Sequence, residues 1–140
     1  MHVVFLQDDF PPRSFGGAGI STFELAHGVR RAGHEVTIIT TCRTKREKGE
    51  SNYEGLKVFS IQSDYNMFWR AWVSIYNPKT VKPLDGILRE IRPDVVHVNN
   101  VHQHLSYYSL KVAKRHARVV VLTARDTMSI CYGKLSTRRY

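Results

Sequence analysis

Three short segments of this chain carry residues whose types and spacing suit the binding of polar or anionic ligands. The first, residues 10–29, reads FPPRSFGGAGISTFELAHGV and places Gly16, Gly17 and Gly19 between an apolar run and a helical pattern. A helix that begins after such a loop aims free backbone N–H groups and the positive end of its dipole at the loop. The segment predicts an anion site, most naturally for phosphate, and is equally typical of a flexible connector without a ligand.

The second segment, residues 97–104, reads HVNNVHQH. Its amides and imidazoles, among them Asn99, Asn100 and His102, offer donors and acceptors that suit hydroxyl or phosphate groups. The alternative is a packed His97 at a strand end, followed by ordinary polar loop residues. A metal site is the least favoured interpretation, because no carboxylate or cysteine joins the histidines and the spacing differs from zinc patterns.

The third segment contains Arg125 and Asp126 side by side after an apolar run, RVVVLT. The two side chains can simply pair with each other. Placed at a cleft, the Arg125 guanidinium can instead contact an anion through two N–H groups.

The elements that must position these segments alternate between strand and helix. The first helix is expected to end near Arg31, and its regular part begins either after the glycines or at Ser21, which has capping-box spacing with Glu24. A second helix is expected to begin at Pro83 and to end before Pro93. Apolar runs predict strands at 3–6, 36–41, 56–61, 94–98 and 118–123. A further helix is expected at 106–116, and the polar, charged stretch 43–52 is expected to form a surface loop.

Alternating strands and helices predict an α/β fold, a single Rossmann-like domain with a mostly parallel sheet flanked by helices. The first strand is expected to lie at the centre. Ligands of such sheets bind beyond the carboxyl ends of the strands. The loops after the first, fourth and fifth predicted strands, at 8–19, 99–104 and 124–129, carry these polar residues, so all three are expected at the ligand-binding edge.

An aromatic segment, residues 67–76, reads MFWRAWVSIY. We favour a core or acceptor-pocket position for it, because only Arg70 interrupts its apolar character. The alternative is an amphipathic surface helix that enters a membrane interface or covers an apolar acceptor, with its large side chains provided by Phe68, Trp69, Trp72 and Tyr76.

The chain of 140 residues has a formal net charge of +9, which favours anionic partners such as phosphorylated substrates or anionic lipid surfaces. The basic run Arg43, Lys45, Arg46 and Lys48 is typical of a solvated loop and also suits an anionic surface. Nucleic acid is not expected as a partner, because no nucleic-acid-binding motif accompanies the charge. The absence of GxGxxG spacing and of a Walker lysine argues against a dinucleotide-binding oxidoreductase and a P-loop protein.

Cys42 and Cys131 have no metal-like spacing, which favours reduced thiols, although one disulfide stays open. No apolar run approaches the roughly 20 residues of a membrane span, and the N-terminus lacks the basic region of a signal peptide. We expect a cytoplasmic protein without a metal or cofactor, with the inner face of the membrane as a peripheral site.

Three segments together resemble retaining glycosyltransferases of the GT-B fold, the large family-4 group. PPRSFGGAGISTFELAHGVRRAGHEVTIIT resembles the opening of those proteins, with a proline-containing loop, a GG pair, a central LA and GHEV before a strand. IRPDVVHVNNVH is similar to their PDVVHxHN segment, and VVVLTARDTMSIC to their VxTxHD segment.

The resemblance covers nearly the whole chain in order and implies an N-terminal, acceptor-side domain over 1–140. A C-terminal domain, which binds the nucleotide sugar and carries a paired-glutamate motif, is absent from the 140 residues. The resemblance implies that Gly16 and Gly17 approach the donor diphosphate and sugar. It places His97, Asn100 and His102 on the acceptor side, where the acceptor is a sugar or a lipid-linked molecule.

Two positions depart from the family pattern. Asn99 stands where histidine is frequent, and Arg125 replaces the histidine of a His–Asp pair, whose aspartate corresponds to Asp126. Arg125 and Asp126 are therefore the candidate catalytic residues, although arginine can donate hydrogen bonds and cannot act as a base at neutral pH. Two functions follow: a domain of a retaining nucleotide-sugar glycosyltransferase, inactive in isolation, or a non-catalytic module that binds sugar or phosphate.

Overall fold

The structure, a computed structural model, describes residues 1–125. It contains six strands and four helices within that range, together with 3₁₀ turns at Lys45–Glu47 and Met67–Trp69. In chain order the elements are β1 (His2–Leu6), α1 (Gly17–Arg31), β2 (Glu35–Cys42), β3 (Gly49–Tyr53), β4 (Leu56–Gln62), α2 (Arg70–Ile75), α3 (Pro78–Ile91), β5 (Val95–Val98), α4 (Ser109–His116) and β6 (Val119–Leu122).

All six strands form one sheet in the order β3-β4-β2-β1-β5-β6. Every neighbouring pair is parallel except β3 and β4, which are antiparallel. Val3 of β1 lies opposite Val36 on one side and Val95 on the other, so β1 is an inner strand of the sheet. The predicted α/β fold with a mostly parallel sheet and a central first strand is confirmed.

The core has two parts, one on each face of the sheet. One part joins Phe5 and Ile38 to Ala26 of α1. The other joins Leu6 and Ile39 to Leu84 of α3 and to α4. Because both faces are covered, the inner strands are apolar on both sides, which explains the unbroken β-branched run of β2.

The prediction of a surface loop at 43–52 was wrong in part, because β3 pairs with β4 as a hairpin. Tyr53 and Leu56 form the last pair, so the turn consists of Glu54 and Gly55 alone. Both have positive φ, 50° and 78°, which is the conformation that two-residue hairpins favour. The polar, exposed sequence of this edge strand has no apolar alternation that would predict it.

Helix α3 begins at Pro78, so the prediction of a start at Pro83 was wrong. The Asn77 side chain accepts a hydrogen bond from Lys79 N–H (3.1 Å), and Pro78 follows at the position where a missing N–H costs least. Pro83 lies inside the helix. Helix α1 begins at Gly17, so Ser21 does not start it.

The aromatic segment is exposed, and the prediction that places it in the core was wrong. Phe68 is 82% exposed and Trp72 is 69% exposed, while Ser74 is the buried residue of α2. Apolar composition alone did not distinguish a buried cluster from a surface one. Within residues 1–125, no helix combines the length and the apolarity that crossing a bilayer requires.

Gly19 is the glycine that the packing of α1 requires. A Cβ atom at this position would lie 2.7 Å from the Asp9 carbonyl oxygen, closer than van der Waals contact allows. A Cβ at Gly17 would meet no atom within 4 Å. The two glycines therefore have different roles, although they are two residues apart.

We predict that Gly19→Ala lowers the free energy of unfolding by about 1–3 kcal/mol, because helix and loop backbones must separate to admit the methyl group. Gly17→Ala is the matched control, and it should change stability by less than about 1 kcal/mol. Urea denaturation of both variants measures the difference. Equal stability of the two variants would contradict the assigned close approach.

Candidate functional site

The loops that follow β1, β5 and β6 meet at the carboxyl edge of the sheet. Asp8 N–H donates to the Asn100 carbonyl oxygen (2.8 Å), and Thr123 N–H donates to the Val98 carbonyl oxygen (2.9 Å). The Gln7 side-chain oxygen accepts from Asn100 N–H (3.3 Å) and from the Thr22 hydroxyl (3.2 Å). The three segments that the sequence indicated are therefore assembled at one edge, as predicted from the topology.

The buried carboxyl group of Asp8 fixes the loop after β5. Its oxygens accept from three consecutive backbone N–H groups, those of Gln103 (2.6 Å), His104 (3.1 Å) and Leu105 (2.7 Å). Removal from water raises the pKa of the Asp8 carboxyl to about 7, while the three N–H groups oppose the shift. Asp8 therefore titrates near neutrality at the floor of the site.

The glycine loop borders an open cavity of about 280 Å³. The cavity is lined by Gln7, Asp9, Ser14, Gly16, Gly17, Ala18, Gly19 and Asn100. Gly16 is the residue before α1, and no side chain caps the first turn of that helix. Gly16 has φ −63°, and Gly17 has open space where its side chain would be. Neither backbone strain nor packing within the described residues requires a glycine at these two positions.

A second, small cavity of about 20 Å³ lies between the loops after β5 and β6, and it has room for about one water molecule. Its walls include Asn99, Asn100, His102, Tyr107 and Arg125. Asn100 borders both cavities. The buried Asn99 side-chain amide N–H₂ has no hydrogen-bond partner within residues 1–125.

Arg125 links the loop after β6 to helix α1. Its guanidinium donates to the Ser21 hydroxyl (2.6 Å) and, at 3.4 Å, to the Asn99 side-chain oxygen. These contacts do not test the predicted pairing of Arg125 with its neighbour in sequence, which stays a prediction. Asp126, the other candidate catalytic residue, lies outside the described residues.

His97 lies apart from both cavities. Its Nε2 is 2.7 Å from the Thr123 hydroxyl, and its ring centroid is 5.2 Å from that of Phe5. Burial lowers the pKa of His97, and the nearby Arg125 lowers it further, and both effects favour the neutral imidazole. These contacts agree with the packed histidine at a strand end, and the acceptor-binding role stays a prediction.

His104 shows that this loop is more buried than its polar sequence indicated. Its Nδ1 lies 3.0 Å from the Ser63 hydroxyl, and burial, assisted by Arg43, lowers the pKa of His104 to about 4. Within residues 1–125, no three histidine, cysteine or acidic side chains are placed to hold a metal ion. Cys42 is a buried free thiol, and burial raises its pKa.

The sequence interpretation included Asp8 in the first candidate loop but gave the side chains of Gln7, Asp8 and Ser21 no role in the site. All three lie in or beside the glycine segment. The backbone partners of the Asp8 carboxyl group, and Arg125 as the partner of Ser21, lie roughly a hundred residues away in the sequence. A polar QDD run directly after an apolar strand is the one signal that could have directed attention to Asp8.

We predict that the stability of the protein, relative to an Asp8→Asn variant, falls as pH rises from 4 to 7. The unfolded carboxyl ionises near pH 3.8, whereas burial delays ionisation of the folded one to about pH 7. Between these two pH values the folded state holds one more proton than the unfolded state. The free energy of unfolding therefore falls by about 4 kcal/mol across the window.

The variant isolates Asp8 from His104, whose lowered pKa has the opposite effect because the folded imidazole resists protonation as pH falls from 6.5 toward 4. Urea unfolding at pH 4, 5, 6 and 7 measures both proteins. A relative gain in stability with rising pH would show that the three N–H groups outweigh burial.

Comparison with known proteins gives consistent relationships. The Glycosyltransferase Family 4 profile matches residues 15–139. The chain is 26% identical over 140 aligned residues to an uncharacterised 42.6 kDa protein in the cps region of Klebsiella pneumoniae, with 90% of this chain and 37% of that protein covered. It is 30% identical over 111 residues to an uncharacterised glycosyltransferase of Methanocaldococcus jannaschii, covering 79% of this chain and 28% of that protein.

Among solved structures, the chain is similar to sucrose-phosphate synthase from Thermosynechococcus elongatus, with a TM-score of 0.67 and 12% identity. The superposition covers 99% of this chain and 37% of that one. The chain therefore spans between 28% and 37% of the length of these relatives. The fold is that of the N-terminal part of a GT-B glycosyltransferase, and the chain belongs to Glycosyltransferase Family 4.

Proposed function

We propose that this chain forms the N-terminal, acceptor-side domain of an enzyme that transfers a sugar from a nucleotide-sugar donor to an acceptor with retention of configuration. The observation that carries the proposal is the cavity of about 280 Å³ in which Gly16 and Gly17 face Asn100. Family membership supports glycosyl transfer in general, and the finer assignments rest on the geometry and on the resemblance of motifs.

The donor side of the proposed site is the glycine loop. A diphosphate carries negative charge, and the uncapped first turn of α1 offers backbone N–H groups and the positive end of the helix dipole. The lack of side chains at Gly16 and Gly17 lets the ligand approach this backbone closely. A second domain, beyond these 140 residues, would supply the opposite wall of the cleft and hold the nucleotide.

The acceptor side consists of polar groups along the loop after β5. Asn100 offers a donor and an acceptor at the junction of the two cavities, and His102 borders the smaller one. The Arg125 guanidinium, oriented by Ser21 and Asn99, donates hydrogen bonds to sugar hydroxyl or phosphate oxygens and does not take up a proton. These groups bind and orient substrate, and bond cleavage relies on the donor's diphosphate as the leaving group.

We predict that Gly17→Val in the complete enzyme lowers kcat/KM by on the order of 100-fold, because the side chain displaces the diphosphate-linked sugar. The fold should survive, since a Cβ at this position meets no atom within 4 Å. Gly28→Val is the matched control. It lies near the far end of the same helix, has comparable open space and should leave activity per folded molecule unchanged.

Melting temperature, donor affinity and turnover are measured on both variants. If Gly17→Val is folded and retains its donor affinity and turnover, the loop has no role toward the donor. If Gly28→Val loses as much activity, the effect reflects the helix and not the cavity.

A non-catalytic sugar- or phosphate-binding module is the second candidate, and Arg125 in the place of the usual histidine favours it. We predict that the isolated 140 residues do not turn over a nucleotide sugar, because one wall of the cleft is missing. Radiolabelled sugar transfer measures this, and transfer by the isolated chain would contradict the assignment. Donor binding without transfer by the complete protein would favour the binding module.

A further inference from the structure

The exposed aromatic segment is a built surface that the proposed transfer reaction does not use. Six large apolar side chains project from it, namely Met67, Phe68, Trp69, Trp72, Ile75 and Tyr76, and each is at least 47% exposed. We call these six residues the aromatic platform. Because large exposed apolar side chains that cluster on a surface mark interaction sites, the platform is a candidate docking surface.

The platform is held firmly by the rest of the domain. Lys79 Nζ donates to the Asp64 carbonyl oxygen (2.5 Å), and Asn77 Nδ2 donates to the Ser63 hydroxyl (2.9 Å). These two hydrogen bonds join the residues just after the segment to those just before it. The Ser74 carbonyl oxygen accepts from Tyr107 N–H (2.8 Å). Ordered backbone contacts of this kind show that the aromatic side chains are displayed by a fixed scaffold.

The charged residues within and beside the platform are mostly basic. From Tyr65 to Leu84 the chain has no acidic residue, and it has three cations, Arg70, Lys79 and Lys82. An open cavity of about 380 Å³ is lined by Lys45 and Lys48 together with Asp64 and Lys79, which flank the segment in the sequence. Aromatic side chains beside clustered lysines match the chemistry of an anionic lipid surface.

We propose that this protein docks on an anionic lipid bilayer, with the aromatic platform inserted into the headgroup region and Lys45 and Lys48 facing lipid phosphates. The amphipathic rings of tryptophan and tyrosine are enriched at membrane–water interfaces, and phenylalanine adds apolar area that can be buried there. An acidic protein partner would satisfy the lysines but does not require six large apolar side chains beside them.

The platform lies next to the loop that forms the acceptor side of the proposed site. Tyr107, whose N–H bonds to Ser74, lines the small cavity with Asn100 and His102. The platform is thus continuous with the acceptor-side loop, and docking would hold that loop at the membrane surface. Resting on the proposed function, this placement favours a lipid-linked acceptor.

The experiment measures binding of the chain to vesicles of phosphatidylcholine mixed with phosphatidylglycerol, and to vesicles of phosphatidylcholine alone, by co-sedimentation. Trp69 and Trp72 are the two tryptophans of the chain, so intrinsic fluorescence reports directly on the platform. We expect binding to the anionic vesicles, a blue-shifted emission on binding, and weaker binding at high salt.

Phe68→Ser should weaken vesicle binding by about tenfold or more, since burial of one phenylalanine is lost. Its melting temperature should stay unchanged because the side chain is exposed. Leu25→Ser, on the exposed part of α1, is the matched apolar control. Lys45→Glu/Lys48→Glu should also weaken binding, whereas the control Lys114→Glu/Arg118→Glu carries the same charge change at the opposite edge of the sheet and should have a smaller effect.

Several results would overturn the proposal. These are equal binding to neutral and anionic vesicles, an unshifted tryptophan emission on binding, or a folded Phe68→Ser that binds as well as the parent. Phe68-dependent self-association without vesicle binding would assign the platform to a protein contact and also reject the bilayer. Vesicle binding is measured without substrate, so its failure is distinct from a failure of the proposed transfer activity.

Discussion

The arrangement of the carboxyl edge depends on the buried carboxyl group of Asp8. Its side chain accepts from the backbone N–H groups of Gln103, His104 and Leu105, and its carbonyl oxygen accepts from the Thr40 and Thr41 hydroxyls. Asp8, which follows shortly after β1, thus fixes both the loop after β5 and the end of β2. A neutral amide could not replace it equally, because an N–H₂ group would face some of the same donors.

This constraint separates the rigid and open parts of the edge. Gly19 packs its helix against the backbone at Asp9, and Gln7 connects Thr22 to Asn100, so the base of the glycine loop is fixed. Gly16 and Gly17 stand just above that base with open space in front of them. A site built this way presents unhindered backbone on a preorganised support, which lowers the ordering cost of binding a charged ligand.

The sequence was sufficient for the fold, because β-branched runs such as VTIITT and VVHV must be covered on both faces and alternate with helical patterns. It failed for β3, whose polar residues reveal pairing only through the Glu54–Gly55 turn. The sequence did not predict the exposure of Trp72 and its neighbours, because the hydrophobicity of a segment does not show whether it packs in the core or faces solvent. The site segments could be located by topology, but the hydrogen bonds of the Asp8 carboxyl group and the contact of Arg125 with Ser21 join residues 95 or more apart, which no local pattern encodes.

The inner position of β1 has a consequence for the order in which the protein can be completed. His2 N–H donates to the Asp94 side chain 92 residues away (2.8 Å), and β1 needs both β2 and β5 as neighbours. During synthesis the apolar strand HVVFL leaves the ribosome before β2 and long before its second neighbour, which is complete only at residue 98. Until β5 is made, one edge of β1 has unpaired backbone groups, and such an edge is a template for pairing with other chains.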